Sequence, residues 1–582
     1  MKSFFKNILS TIIGMVSAVF VMILLFVGLI AVMSSEEDVI VKKNSILKID
    51  LSKKVVERTS PNPLDYLSLL NLELDLPLEL KEILDNIEKA KSDENIKAIY
   101  INTSFVNAGL SKTEEIRNKL LEFKQTGKPI IAYAEVYSQA AYYLASIADK
   151  IYLNPEGIVE LKGLSVGIMF FKGLLEKLDI EVQIIRHGKF KSAIEPFVLD
   201  KMSDANREQM QLLLNSFADN IMDSIANQRG LTLAKVQQHA NNLSLENAKK
   251  CLELAYVDAL LYQDQIDDTL RNIAGSEKLN IISLSKYSKT KADKKEISRD
   301  KIAIIYATGE IKSGKGNEQS IGSETIAKAI KQAREDKRVK AIILRINSPG
   351  GSALASDVIW RETILAKAEK PLVVSMGDYA ASGGYYIACA ADSIVANPTT
   401  LTGSIGVFGV IPNFSKFYKN KLGITIDTVN TSKYADMGIN RPLSTFEKNK
   451  IQKSVETIYT TFITHVGEGR GMSTTAVDEI GQGRVWSGYD AKKIGLIDVY
   501  GGLEKAIEIA ALLAKVEDYR LISLPRKKDP FSELVLEFGN SGTISDIILA
   551  KFGFKTDLTK PIEHLLKSDI IQARVPFIME LK

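Results

Sequence analysis

The chain has 582 residues, 45% of them hydrophobic and 25% charged, with a formal net charge of +4. That length exceeds what one hydrophobic core supports, so at least two domains are expected, and the near-neutral charge argues against a dedicated nucleic-acid binder. The two cysteines, Cys251 and Cys389, are too few for a disulfide framework, although a pairing between them stays open, and no spacing of Cys, His or carboxylates resembles a metal site, so no metal or other cofactor is expected.

The first element is a long apolar run. Residues 8–33, "ILSTIIGMVSAVFVMILLFVGLIAVM", carry no charge over a length sufficient to span a bilayer as a helix. Lys2 and Lys6 precede it and "SSEEDV" follows, which places the N-terminus in the cytoplasm and the bulk of the chain across the membrane. A cleaved signal peptide is the rival reading. The run is long for that role and no clear small-x-small cleavage site follows it, so an uncleaved anchor over 1–36 is expected.

Beyond the anchor the chain contains itself twice. "IKAIYI" at Ile96 matches "VKAIIL" at Val339, and "YYLASIADKIYLNP" at Tyr142 matches "YYIACAADSIVANP" at Tyr385, both displaced by 243 residues. "NAKKCLELAYVDALL" (Asn247 to Leu261) and "DAKKIGLIDVYGGL" (Asp490 to Leu503) hold the same displacement between Ala248 and Ala491. Two copies of one domain, 45–295 and 296–525, follow, with the charged stretch 288–300 as a linker. Each copy alternates apolar strand-like runs with helical stretches, "KIAIIYATGEI" then "SETIAKAIKQAREDK" in the second, which predicts α/β domains with largely parallel sheets. In that copy "PLVVS" (Pro371 to Ser375) reads as a short buried strand, and the run after Ser382 reads as a helix. Arg441 to Gly471 has helical spacing and reads as a packing or assembly helix. The tail, 526–582, carries no motif.

Duplication lets one copy serve as the comparison for the other. The second copy has "NSPGGS" (Asn347 to Ser352) and "GDYAASGGYYIACAAD" (Gly377 to Asp392); the first lacks the glycine pair and has Gln139 where the second has Ser382. Downstream the contrast reverses. Aligning "LDIEVQIIRHGKFKSAIEPF" with "LGITIDTVNTSKYADMG" pairs Lys189 with Lys433 but Lys191 with Ala435. One copy holds a serine and the other an unmatched lysine, so each half-site is incomplete alone.

A serine hydroxyl is a poor nucleophile until a base takes its proton, and a lysine serves as that base only when neutral, which burial promotes. Phe190, Ala193, Ile194 and Phe197 offer apolar surroundings to Lys191, while Glu195 would oppose the shift if close. Lys189 is expected to share a strand face with Lys191 and to be structural; His187 is the weaker candidate base. Gly383 with Gly350 or Gly351 can supply backbone donors to an oxyanion, and Ser404 in "TGSIG" can hold the lysine amine. The bland readings are a small-residue packing motif around Ser382, a solvated Lys191 and an ordinary turn at Ser404.

With these residues in view, "NSPGGSALAS", "MGDYAASGGYYIACAADSIVANPTTLTGSIGVFG", "GRVWSGYDAKKIGLID" and "GKFKSAIEPF" resemble the signal peptide peptidase A (protease IV) family in its long, tandem form, over about residues 1–525. The resemblance implies a crotonase/ClpP-like fold in each half. It also implies a Ser-Lys dyad that cleaves released signal peptides, with Ser382 as nucleophile, Lys191 as base and Ser404 supporting the lysine. It further implies a bowl of four subunits, on the periplasmic side of the inner membrane in a bacterium with two membranes. A ring of head-to-tail subunits would reuse one contact, which favours a dyad formed between chains. Two rivals remain: an acyl-CoA hydratase or isomerase of the same fold, and a non-enzymatic membrane scaffold.

Overall fold

The structure, a computed structural model, describes residues 39–59, 76–290, 298–317, 319–527 and 571–575, with scattered positions between 6 and 21. Most of the expected anchor at 8–33, part of the linker at 288–300 and most of the tail lie outside these residues. Among the described residues no helix is long and apolar enough to cross a membrane.

Two parallel sheets repeat one order. The first runs Ala259–Leu260, Lys150–Val159, Ile130–Tyr137, Ile96–Ile101, Ser45–Ile49, Asn280–Ser283, every pair parallel. The second repeats that path through Val499–Tyr500, Ser393–Ala396, Leu372–Ala381, Val339–Ser348, Lys301–Thr308 and Arg520–Leu524. The central strands are near-continuous apolar runs because helices cover both faces, and Ile302, Ala303, Ile304 and Ile305 are all fully buried. Each copy also carries a 26-residue helix, Asp204–Arg229 and Thr445–Arg470, closed by a left-handed glycine, Gly230 and Gly471. Tandem α/β domains are what the repeat predicts. Both cysteines are buried and free.

A third sheet breaks the symmetry. It runs Gly316–Asn317, Ser320–Gly322, Glu310–Lys312, Gly350–Ser352, Ile571–Arg574, Phe408–Asn413, Glu181–Arg186. Its last strand belongs to the first copy and pairs antiparallel with Phe408–Asn413, Arg186 opposite Phe408. The first copy thus delivers the chain just before Lys191 onto the second copy's sheet.

The two halves are also locked by buried polar groups. Arg345 is fully buried and donates to Glu57 (2.8 and 3.1 Å), Glu115 (2.7 Å), Ser375 Oγ (2.8 Å) and the Met376 carbonyl (3.2 Å). Helix Leu110–Lys124 buries polar as well as apolar positions because its polar face meets the second copy: Lys112 pairs with Asp378, and Asn397 Nδ2 donates to Ser111 Oγ at 2.9 Å. A half-satisfied version of this interface would be costly, so it fixes one orientation of the halves.

One local expectation needs correction. The strand predicted over Pro371 to Ser375 continues to Ala381, and the helix after Ser382 is a single turn, Gly383–Tyr386. The small residues of "GDYAAS" allow the backbone to keep pairing, with Ala380 opposite Ser348 and Ala381 opposite Gly403. The free-standing amides next to Ser382 are therefore those of a one-turn helix and its glycines, not the first turn of a long helix.

Candidate active site

Ser382 stands at the end of strand Leu372–Ala381 with φ 55 and ψ −114, a conformation that L-residues avoid. Its amide donates to the Gly403 carbonyl at 2.7 Å, and its carbonyl accepts from the Tyr386 amide at 2.8 Å, so both ends of the strained residue are held. The hydroxyl is fully buried and lies 2.7 Å from Lys191 Nζ and 3.4 Å from the Gly406 carbonyl.

Lys191 is 1% exposed. Besides Ser382, its amine reaches Ser404 Oγ at 3.0 Å and the Ser404 carbonyl at 3.1 Å. Burial alone pushes the ammonium well below the usual lysine range. Glu195 does not oppose this: its carboxylate accepts from Ser203 N (3.1 Å), Ser203 Oγ (2.5 Å) and Asn206 Nδ2 (2.9 Å) instead. The count of hydrogens suits a neutral amine. Two N–H bonds can go to the Ser404 hydroxyl and carbonyl, the Ser404 O–H points to the Gly483 carbonyl at 3.3 Å, and the nitrogen lone pair is left for the Ser382 hydroxyl.

Ser404, at φ 51, is fixed by its own amide donating to the Arg484 carbonyl at 2.7 Å, next to the antiparallel pairing of Leu401–Gly403 with Val485–Ser487. The same 481–484 turn clamps the lysine loop, since the Phe190 amide donates to the Gln482 carbonyl at 3.0 Å. Gly483 and Gly406 were missed by the sequence reading. A Cβ at Gly483 would stand 2.6 Å from the Lys191 Cβ, and one at Gly406 would stand 3.3 Å from its Cδ. Gly483 lies inside the motif "GRVWSGYD", but nothing local marks it as a lysine support.

Lys189 and Lys191 do not share a strand face. They occupy a turn, with Lys189 exposed and Lys191 buried. His187 stacks on Tyr459 with ring centroids 3.9 Å apart, and the nitrogen beside the Ser382 hydroxyl is the amine of Lys191. The glycines named as oxyanion donors converge as well. The Gly383 amide is 2.8 Å from where a Gly350 Cβ would be, and the Gly351 amide is 3.2 Å from where a Gly383 Cβ would be. Of the three, the Gly350 amide already donates to Ser348 Oγ at 3.1 Å, which leaves Gly351 and Gly383 the better donors. In this structure Lys191 meets the Ser382 of its own chain rather than that of a neighbour, because the strand Glu181–Arg186 carries the lysine loop across to the second copy.

A buried serine beside a desolvated amine, with backbone amides converging nearby, is the constellation of a hydrolase that uses lysine where others use histidine. Comparison with known proteins agrees. The model of peptidase family S49 matches twice, over residues 122–276 and 364–517. Protease 4 of Salmonella typhi is 38% identical over 496 residues, 82% of this chain and 79% of that protein. Protease 4 of Haemophilus influenzae is 37% identical over 77% of this chain and 75% of its own length. The chloroplastic serine protease SPPA of Arabidopsis thaliana is 34% identical over 93% and 78%. The chain belongs to peptidase family S49 and is a serine peptidase of the tandem-domain form, which removes the acyl-CoA and scaffold readings.

Proposed function

We propose that Ser382 is the nucleophile and Lys191 the general base of a peptidase that degrades released signal peptides and similar apolar peptides. The observation that carries this reading is the 2.7 Å contact between the desolvated Lys191 amine and the Ser382 hydroxyl. The neutral amine takes the hydroxyl proton as Ser382 Oγ attacks a peptide carbonyl carbon, and the amides of Gly351 and Gly383 receive the developing oxyanion. The ammonium then protonates the departing amine, and water, deprotonated by the same lysine, releases the acyl group. Ser404 holds the amine in line throughout. A fluorophosphonate tests the reading: it attaches to Ser382 in the native protein, with parallel loss of labelling and of peptide hydrolysis in Lys191→Ala. Labelling at another residue, or none in a protein that hydrolyses peptides, would sink it.

Substrate class rests on the relatives, one of which, from Enterococcus faecium, is described as a putative signal peptide peptidase. The same reading includes crotonase/ClpP-like domains over 45–295 and 296–525. It also includes a single-pass anchor over 8–33 in the inner membrane, catalytic domains on the periplasmic side, and a homotetramer. Its support is the charge asymmetry around the apolar run and the resemblance of the whole chain. Protease added to spheroplasts should digest the bulk of the chain, and light scattering in detergent should give four copies.

A further inference from the structure

The duplication gives the first copy its own version of the groove beside Ser382. Helices Leu110–Lys124 and Ala353–Lys367 have equal length and begin 243 residues apart, the displacement of the repeat. Asn107, Ala108 and Gly109 therefore stand where the second copy has Gly350, Gly351 and Ser352, and Gln139 stands where it has Ser382. In the second copy, Gly350–Ser352 and Phe408–Asn413 form two walls, and an extended segment, Ile571–Arg574, lies antiparallel between them. Main-chain pairing of this kind is how a sheet edge takes up an extended peptide.

The corresponding walls of the first copy keep open main-chain edges. The Asn107 amide donates to the Leu51 carbonyl at 2.9 Å and its carbonyl accepts from the Val55 amide at 2.8 Å, which ties this wall to its own domain. Among the described residues no hydrogen bond reaches the main chain of Val106 or Ala108. Their counterparts are both engaged: the Pro349 carbonyl accepts from the Val575 amide at 3.0 Å, and Gly351 stands opposite Ala573. The other wall, 164–169, aligns with Phe408–Asn413 in the register that pairs Lys191 with Ala435, and no described strand pairs with it. Beside Val106 opens a cavity of about 290 Å³, bordered by Phe105, Val106, Leu110, Gln139, Tyr143 and Ile221. That volume lies at the low end for ligand pockets, about 300 Å³, and the mostly apolar border suits one or two aliphatic side chains. Phe105, 62% exposed, stands at the rim.

This site cannot cut what it holds. Gln139 offers no nucleophile, and its carboxamide is tied to the next loop: Oε1 accepts from the amides of Lys162 (3.1 Å) and Gly163 (2.9 Å), and Nε2 donates to the Gly163 carbonyl (3.2 Å). Neither Asn107 nor Ala108 has the positive φ of Gly350 and Gly351, so the bare backbone that admits a peptide carbonyl in the second copy is missing. We propose that the first copy's groove is a second, non-catalytic binding site for an extended apolar peptide. The peptide adds along 106–108 and places an apolar side chain in the cavity between Phe105, Leu110, Tyr143 and Ile221. The class of ligand rests on the function proposed above. A peptide long enough to reach Ser382 as well is thereby retained on the protein between cuts.

Photo-crosslinking of the full-length Ser382→Ala protein in detergent tests this, with a leucine- and alanine-rich peptide carrying a diazirine leucine as the probe. Mass spectrometry should place adducts on 105–110, Tyr143 or Ile221. Ala140→Phe, which fills the cavity, and Phe105→Asp, which alters only its exposed rim, should each lower the yield of these adducts about 10-fold, the loss of one apolar anchor. Fluorophosphonate labelling of Ser382 should be unchanged when either substitution is made in the native protein. Absence of first-copy adducts, while the native protein hydrolyses the same peptide, would overturn the proposal and leave the peptidase reading standing. Adducts undiminished in both variants would overturn it too. So would a smaller assembly of Phe105→Asp by light scattering, which would mean that a second copy of the chain covers this face. First-copy adducts in a protein that neither hydrolyses peptides nor takes the fluorophosphonate would uphold the binding site and remove the peptidase reading.

Discussion

Gly483 lies directly against Lys191: its missing side chain is the space that the lysine Cβ, Cα and amide occupy, 2.6–2.7 Å from where a Cβ would sit. Because φ at Gly483 is +83, an alanine there meets both a conformational and a steric penalty. The lysine loop has to move, and the loop is what brings the amine to Ser382. Gly483→Ala should leave a folded protein with kcat/KM lowered about 100-fold, the scale expected for a 1 Å misplacement of a reacting group. Peptide hydrolysis together with a thermal melt checks this; full activity would show that the clamp does not position the base.

The pH dependence follows from the burial of Lys191. Only the neutral amine accepts the serine proton, so activity should rise with pH through the lysine's own titration, well below the ordinary value of about 10.4. Stability has the same sign. Between the folded and unfolded pKa values the unfolded chain binds more protons, so stability rises with pH across that window and levels off above about 10.4. Lys191→Met, which removes the titrating group, should flatten this slope and gain most over the native protein at the low end of the window. Denaturant unfolding at several pH values reads it, and an unchanged slope would argue that Lys191 is not desolvated in solution.

Ser404 supplies two of the three contacts of the amine, one through its backbone. Removing the hydroxyl alone should therefore weaken alignment without abolishing it. Ser404→Ala is expected to lower kcat roughly 10-fold, the equivalent of one hydrogen bond of about 1–1.5 kcal/mol, with KM little changed. A change confined to KM would assign Ser404 to substrate binding instead.

These partners differ in how visible they are in the sequence, for physical reasons. The parallel sheets were legible because fully buried strands are continuous apolar runs and the duplication printed them twice. Ser382 and Lys191 were legible because the two copies differ there: a serine against Gln139, a lysine against Ala435. The delivery of Lys191 was not. Strand Glu181–Arg186 meets Phe408–Asn413 through backbone hydrogen bonds across more than 200 residues of chain, and such pairing leaves no side-chain signature. The tail strand escaped for the same reason, since the sequence Ile571–Arg574 is too short for periodicity and its partners recognise main chain. Lys189 was misread because two residues apart means the same face only in a strand, and this segment turns.

The junction between halves should be sensitive to the buried guanidinium of Arg345. Arg345 pairs with both Glu57 and Glu115, and burial already pushes the Glu115 carboxyl up against the pull of that guanidinium. Arg345→Met leaves two carboxylates without their cation and should cost about 3–5 kcal/mol in unfolding free energy. Replacing Glu57 by glutamine as well should recover part of it. If Arg345→Met unfolds like the native protein, the triad is solvated and does not hold the halves together.

Placement of the dyad within one chain has its own consequence for assembly. Ser382→Ala and Lys191→Ala subunits should each be inactive, by at least about 1000-fold, because the two residues act as a unit. Were the dyad built between subunits, some junctions in a mixed oligomer would pair an intact serine with an intact lysine, and activity would return. In the geometry seen here every Lys191 faces the Ser382 of its own chain at 2.7 Å, so no mixture contains a complete site. Co-expressed subunits carrying two different tags, purified through both, should therefore stay as inactive as the parents. Recovery in confirmed mixed oligomers would mean that the strand Glu181–Arg186 is exchanged between neighbours in the assembly, keeping the local geometry but changing which chain supplies the lysine.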